Sequence, residues 1–241
     1  MDTLFSTFWS HYHWEAALAS LVAIVLINKV LTWLVFRHPD VQRMYALNQQ
    51  EDSKKWKLEK YPPIVNAGKK VGLACNVIFF TLIVPFSASL QAEALWHVLL
   101  DVVLILMVYD FFYYFVHRFL FHGNGAMRKV HAVHHQARNP TFIDASYVHP
   151  LETFIGLALY LGTVPLLAAI TGTFSVATVV VTYLIYVRLN QINHVHLDLP
   201  RFPFKTMTWA AQKHHVHHEN MHKGNYATIT LFYDKLFGTY E

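Results

Sequence analysis

The sequence predicts an all-α membrane protein, a bundle of about four to five transmembrane helices with a cytoplasmic helical cap that holds a histidine-rich metal site. Three observations predict this fold. The chain of 241 residues is 54% hydrophobic and only 14% charged, which is unusual for a soluble enzyme. Several apolar stretches are long enough to cross a bilayer. Most of the 17 histidines lie just beyond the ends of two of those stretches.

The apolar stretches organise residues 1–241 into a single membrane domain. Spans are predicted at about 14–36, 71–88 and 95–116, followed by a helical hairpin over 154–189. Pro165 lies inside the hairpin, so its arms are expected either to cross fully or to enter the membrane as a kinked partial crossing.

The distribution of basic residues predicts the orientation. Residues 1–13, 87–94 and 171–173 contain no Lys or Arg. Because cytoplasmic loops carry an excess of these residues, the three segments are expected outside and the remaining loops inside. Both histidine-rich regions, 117–149 and 190–222, and the C-terminus are therefore expected on the cytoplasmic face of a bacterial inner membrane or of the endoplasmic reticulum.

Two histidine triads at helical spacing indicate a metal site. The first triad is His131, His134 and His135, and the second is His214, His217 and His218. Positions i, i+3 and i+4 lie within an arc of about 100° on one helix face. Neutral imidazole is a good ligand for iron, copper or zinc, so the two triads together predict imidazole-only coordination.

Residues around the triads are candidates to complete the site. His117 and His122 are about 140° apart on a continuous helix, so they are expected to share a site only if the helix breaks near Gly123-Asn124-Gly125. Polar residues crowd the end of the last span, where His194 is expected to be a ligand. Asp110 precedes His117 by two helical turns and is expected either to orient a ligand imidazole or to be satisfied by a neighbouring group.

Several functional classes fit the sequence poorly. The single cysteine, Cys75, excludes an intrachain disulfide and a CxxC metal site. Basic residues follow the membrane topology, so nucleic-acid binding is not expected. A metal-binding or transport protein remains a remote alternative. Transport predicts ionisable residues within the spans, whereas the histidines here cluster at the span ends and in loops on one side. A di-zinc hydrolase is disfavoured by the all-imidazole ligand set.

The motifs HRFLFH, HAVHH and HHVHH resemble the three histidine boxes of the fatty acid hydroxylase/sterol desaturase superfamily, which are integral-membrane di-iron oxygenases. DFFYYFVHR, HPLE and NYATITLFYDKLFGTY resemble flanking motifs of the same family, and the resemblance covers about residues 108–241. It implies the metal ligands His117, His122, His131, His134, His135, His194, His214, His217 and His218. In the crowded third box, His215 is an alternative to His214.

The resemblance also implies residues that support or line the site, with no catalytic residue beyond the metal ligands. These residues are His149 and Glu152. Position in the sequence adds Asp110, before the first box, and Asn190 and His196, at the end of the last span, as further supporting or pocket residues, with His215 of the third box as another. The aromatic residues Phe111, Phe112, Tyr113 and Tyr114 are expected either to line a lipid slot or, for most of them, to pack and face lipid.

The function implied is a lipid hydroxylase that uses two iron ions and O2 to oxidise a fatty acyl chain or related lipid. A sterol or lipid desaturase and a carotenoid hydroxylase are alternatives with the same site. The HxxxxH spacing of the first box resembles fatty acyl and carotenoid hydroxylases more than sterol desaturases. No haem, flavin or iron–sulfur motif is present, so a separate electron donor is expected, a ferredoxin or a b-type cytochrome with its reductase. The basic segment 37–70 is its candidate docking surface.

Overall fold

The computed structural model describes residues 9–199, 201–202 and 204–241. Residues 1–8, which belong to the predicted outer segment 1–13, lie outside the described residues. In chain order the described helices are α1 (Trp14–Val35), α2 (Pro39–Trp56), α3 (Tyr61–Ser87), α4 (Leu95–Phe121), α5 (Met127–His131), α6 (Pro150–Thr171), α7 (Val176–Ile192), α8 (Phe204–Glu219) and α9 (Phe232–Leu236). Two short 3-10 turns lie at His134–Gln136 and Phe142–Ser146.

Four of these helices, α1, α3, α4 and α6, are long and apolar enough to cross a membrane, and α7 is a shorter apolar helix. The prediction of an all-α membrane bundle is confirmed. α4 packs against α6 and α7, while α1 packs on α7 and α3 packs on α6. Outward-facing apolar residues remain exposed, such as Leu73, Leu95 and Ile170 at 67%, 73% and 72%. These side chains face the surrounding lipid of a multi-pass membrane protein.

The helix bounds differ from the predicted ones mainly where polar residues continue a helix. α3 begins at Tyr61, ten residues before the predicted span, because Pro62 and Pro63 are favoured in a first helical turn and the following residues stay helical. α4 continues past residue 116 into a π-helical segment, Val116–Phe121. The hairpin is formed by α6 and α7, and α6 continues as a helix through Pro165.

The described parts of the three segments without Lys or Arg, the first described only from residue 9, lie at one end of the bundle. Ala88–Ser89 (β1) and Phe174–Ser175 (β2) form a two-stranded parallel pair, in which Ala88 lies opposite Phe174. The backbone N–H of His13 donates to the carbonyl of Pro85 at 2.8 Å. At the opposite end, α2, α5, α8 and the two 3-10 turns form a cap over the histidines.

A network of buried polar groups attaches α2 to the cap. Lys55 forms an ion pair with Asp144, whose side chain is fully buried and also accepts from Tyr61 Oη at 2.8 Å. Asp52 accepts hydrogen bonds from Thr141 Oγ1 at 2.7 Å and from the Ile143 amide at 3.1 Å. These bonds fix the segment that leads from the second histidine box to α6.

Candidate metal centre

All nine histidines implied as metal ligands lie together at the cap end of the bundle, in two clusters. In each cluster the candidate ligand nitrogens lie within 4.8 Å of one another. The five-histidine cluster contains His117, His122, His131, His135 and His217, and the four-histidine cluster contains His134, His194, His214 and His218. The structure thus places His214, and not His215, among the candidate ligands.

The π-helical segment of α4 explains how His117 and His122 share a cluster. The amide of His122 donates to the carbonyl of His117 at 3.0 Å, which is the i to i+5 bond of a π-helix. This wider turn brings residues five apart onto one face. α4 ends at Phe121, close to the break expected near Gly123, but the widened turn before this end is what brings the two rings together.

Each histidine triad is divided between the two clusters. His214 and His218, which are i and i+4, remain in one cluster, whereas His217 between them belongs to the other. In the first triad His131 and His135 remain together, while His134 faces the opposite cluster. The second and the third histidine box therefore each contribute residues to both clusters.

Hydrogen bonds fix the protonation of six of the nine imidazole rings. In these six, Nδ1 faces an oxygen: His117 with Tyr226 O (2.6 Å), His122 with Met221 O (2.9 Å), His131 with Glu152 Oε1 (2.7 Å), His134 with Tyr147 O (3.1 Å), His194 with Asn190 O (2.8 Å) and His217 with Gly224 O (2.8 Å). A carbonyl or carboxylate oxygen only accepts, so Nδ1 carries the hydrogen and Nε2 presents a lone pair.

The Nε2 atoms of these rings face one another at short distances. The Nε2 atoms of His117 and His131 are 3.0 Å apart, those of His131 and His122 are 3.1 Å apart, and those of His134 and His194 are 3.0 Å apart. Two lone pairs repel and cannot form a hydrogen bond. Nitrogens bound at about 2.1 Å to adjacent positions of one metal ion are about 3.0–3.4 Å apart. The donor set therefore fits a cation in each cluster.

Burial keeps the rings in the form that binds metals. For the eight histidines outside the membrane-spanning helices, burial is the main cause of a lowered pKa: His122, His131, His134, His135, His194, His214, His217 and His218. The pKa falls to about 3 for His122 and for His131. These imidazoles are neutral at neutral pH, as metal coordination requires.

Two of the predicted supporting residues contact the clusters directly. Glu152, in the first turn of α6, accepts from His131 Nδ1 through Oε1. Asn190, near the end of α7, offers its backbone carbonyl to His194 Nδ1, and its side-chain oxygen accepts from Thr228 Oγ1 at 3.2 Å. Both residues also line a cavity beside the histidines.

Three other predicted residues lie apart from the ligands. His149 accepts the amide of Leu151 through Nδ1 at 3.1 Å and so caps the start of α6. The rings of His196 and His215 pack edge to face with centroids 5.1 Å apart, and neither residue lines the two cavities described below. The helix phase that turns His214 inward turns His215 toward His196, and a supporting role for these two residues stays a prediction.

Asp110 acts on the backbone instead of on an imidazole. Its carboxylate accepts the amides of Thr228 and Ile229 at 2.9 Å and both the amide and hydroxyl of Thr230 at 3.0 Å. Of its two expected roles, the bond to a ligand ring was wrong. Asp110 instead holds the C-terminal segment against α4, where Tyr233 Oη also donates to the carbonyl of Met107 at 3.0 Å.

The segment 221–226 is a functional element that the sequence reasoning missed. Its carbonyls at Met221, Gly224 and Tyr226 each accept from one ring of the five-histidine cluster. Asn225 adopts a left-handed backbone with φ of 64°, which asparagine tolerates well. Its side chain bonds to the carbonyls of Lys213 and Glu241. Gly224-Asn225 signals a turn, but a carbonyl that orients a ring leaves no signal in the sequence.

A cavity of about 260 Å³ lies between the clusters and the membrane bundle. Tyr109 and Tyr113 of α4, Gly156 and Leu157 of α6, and Tyr186 and Val187 of α7 form its lower wall, and His134, His194 and Glu152 lie at its upper end. A second cavity of about 430 Å³ touches His214 from the side of α8 and the C-terminal segment. Glu152 lines the first of these cavities and not the second.

One of the four aromatic candidates lines the first cavity. Tyr113 does so, while Phe111 and Phe112 are 37% and 38% exposed on the outer surface of α4. Tyr114 is buried against Phe237, with stacked rings 5.2 Å apart. The reading in which most of these aromatics pack or face lipid is therefore confirmed.

Comparisons with known proteins match this site to a family. A family model described as fatty acid hydroxylase matches residues 102–239. Methylsterol monooxygenase 1 of Rattus norvegicus is 32% identical over 69% of this chain and 56% of its own length, and that of Gallus gallus is 30% identical over 77% and 62%. A methylsterol monooxygenase of Aspergillus fumigatus is 26% identical over 96% of this chain and 82% of its own length. No solved structure matches the chain.

Proposed function

The chain belongs to the fatty acid hydroxylase family of di-iron oxygenases, and we propose that it inserts oxygen from O2 into a C–H bond of a membrane lipid. The observation that carries the proposal is the pair of clusters whose imidazole lone pairs face inward, one of which lines a cavity through His134 and His194. The nine histidines of the two clusters are the proposed iron ligands. Two iron ions held there supply, with O2 and two external electrons, the oxidising power toward an unactivated C–H bond that no side chain has.

The residues around the clusters orient the ligands and shape the substrate site. Glu152 and the carbonyls of segment 221–226 hold the rings with Nε2 inward, which fixes the tautomer and raises the basicity of the ligand. The apolar wall formed by Leu157 and Val187 excludes water and accepts the body of a lipid. A lipid in this cavity lies against His134 and His194.

The substrate we propose is a methylsterol or a similar neutral lipid. The relatives with this name support a sterol, whereas the expected fatty acyl substrate receives no support from them. These relatives are named as monooxygenases, which favours oxygen insertion over the desaturase alternative.

A separate acidic electron donor, a ferredoxin or b-type cytochrome with its reductase, remains the proposed partner. The proposed docking surface is the basic segment 37–70. Its cations Lys54 and Arg43 are 71% and 63% exposed, but each pairs with an acidic residue of α2, Glu51 or Asp40, so α2 by itself is not net basic. Lys55 is not part of this surface, because its side chain is 19% exposed and paired with Asp144.

The cap is proposed to face the cytoplasm. The joining of the segments without Lys or Arg at the other end of the bundle supports this orientation. The bilayer is that of a bacterial inner membrane or of the endoplasmic reticulum.

Mass spectrometry of lipids from a host that expresses the chain tests the proposal. The host is supplied with a methylsterol and with a ferredoxin and its reductase, and the control is the double variant His134→Ala, His217→Ala, which removes one ligand from each cluster. We expect a lipid heavier by one oxygen only with the wild type. A product lighter by two hydrogens would identify a desaturase, and identical profiles from an iron-loaded wild type would refute the proposal.

A further inference from the structure

Glu152 is a buried acid with only one of its oxygens in use. Its side chain is 7% exposed, and Oε1 lies 2.7 Å from His131 Nδ1. The other oxygen, Oε2, is buried and has no hydrogen-bond partner among the residues that the structure describes. An unsatisfied buried carboxylate oxygen is costly. A group that brings a hydrogen-bond donor to Oε2 is therefore stabilised there.

The surroundings of Glu152 restrict which ligand can bring that donor. Glu152 lines the 260 Å³ cavity, and no Lys or Arg side chain lines it among the described residues. The carboxylate of a fatty acid, or a phosphate of an acyl carrier, would therefore meet a like charge without a compensating cation. A neutral hydroxyl, in contrast, donates one hydrogen bond to Oε2 and leaves the rest of the lipid in the apolar part of the cavity.

We propose that Glu152 Oε2 accepts a hydrogen bond from a hydroxyl group of the lipid, and so selects a neutral lipid alcohol. This inference rests on the proposed function and narrows its substrate class. Glu152 is bonded to His131 of the five-histidine cluster, and the same cavity touches His134 and His194 of the four-histidine cluster. A hydroxyl on Glu152 therefore places the carbons nearest to it beside the metal centre, and the remote end of the lipid toward Gly156 and Leu157.

The test exploits the fact that a carboxylate oxygen accepts hydrogen bonds, whereas an amide nitrogen donates them. In Glu152→Gln the amide oxygen can still accept from His131 Nδ1, and the amide nitrogen takes the place of Oε2. The probes are radiolabelled cholestanol and cholestanone, which share a ring system and differ in one hydroxyl against one ketone. Binding to the full chain in detergent is measured without an electron donor, so that no turnover occurs. Glu59→Gln, the same substitution at an exposed glutamate outside the cavity, is the control.

We expect the wild type to bind the alcohol about ten-fold more tightly than the ketone, a difference of about 1.4 kcal/mol. Glu152→Gln is expected to lose or reverse this preference, and Glu59→Gln to keep it. Each protein is measured both iron-loaded and iron-free, so that an effect of iron content is distinguished from an effect on lipid binding. An unchanged preference in Glu152→Gln, or equal binding of both probes by the wild type, would overturn the proposal.

These outcomes are separate from failure of the proposed function. If the wild type binds neither probe but forms an oxygenated lipid in the host, the role of Glu152 is refuted and the oxygenase function stands. If the wild type binds no iron and forms no product, the proposed function itself fails.

Discussion

Replacing Asp110 by Asn should weaken iron binding although Asp110 touches no histidine. The new amide can keep one oxygen for the Thr228 and Ile229 amides, but its nitrogen then faces the two donors of Thr230. Hydrogen bonds to a charged acceptor contribute about 1.5–3 kcal/mol each. Losing two of them costs about 3–6 kcal/mol of the free energy that holds this segment against α4.

Weaker attachment of segment 228–230 to α4 should disturb the orientation of rings in the five-histidine cluster, because the two are connected through the backbone. Segment 228–230 follows Tyr226, whose carbonyl orients His117 at 2.6 Å. Changes in groups that orient metal ligands typically cost about 10–100-fold in metal affinity. We therefore expect iron to leave Asp110→Asn about 10–100-fold faster than the wild type when a chelator is added.

Chelator-driven iron release is measured by absorbance on the purified chain, with Asp101→Asn as the control. Asp101 lies near the other end of α4, and its nearest ionic partner is His97 at 3.9 Å. The control should release iron at the wild-type rate. Equal rates for Asp110→Asn and the wild type would refute the view that the C-terminal segment positions the ligands.

Three further predictions follow from the cap. His214→Ala should bind about one iron ion fewer than the wild type, whereas His215→Ala should bind the full amount, as elemental analysis will show. Lys55→Met leaves the fully buried carboxylate of Asp144 without its cation. It should lower the free energy of unfolding by about 3–5 kcal/mol and so lower the thermal midpoint. The control Lys54→Ala, on the exposed side of α2, should leave the thermal midpoint unchanged. Burial lowers the pKa of the cluster histidines outside the spans from 6.5, in two of them to about 3. The unfolded chain therefore takes up protons first, and the iron-free protein should lose stability as the pH falls from about 6.5 toward 3, with no such loss above 6.5.

The membrane bundle could be predicted because the length and composition of an apolar stretch largely decide whether it can span. The candidate ligands could be predicted because histidines at repeated spacing are rare without a metal. Their division into two clusters could not, because His134 and His135 are adjacent in sequence and face opposite sides. The π-helical segment that unites His117 with His122 also leaves no composition signal.

The groups that orient the ligands were the least accessible to sequence reasoning. Glu152 was expected near the site through a motif, and the structure gives it a contact with His131. Asp110 was assigned to the site by its distance along the helix, but its partner proved to be a backbone segment more than a hundred residues later. Any residue can supply a carbonyl, so the roles of Met221 and Gly224 depend on the tertiary fold alone.

We propose that the two clusters are separate iron sites, each built from several histidine boxes. The test is the iron content per chain of anaerobically reconstituted protein, measured by mass spectrometry for the wild type, His134→Ala and His217→Ala. We expect about two iron ions in the wild type and about one in each variant, because each substitution removes a ligand from a different cluster. A wild type that binds no iron, or single variants that both retain the full wild-type content, would contradict the claim.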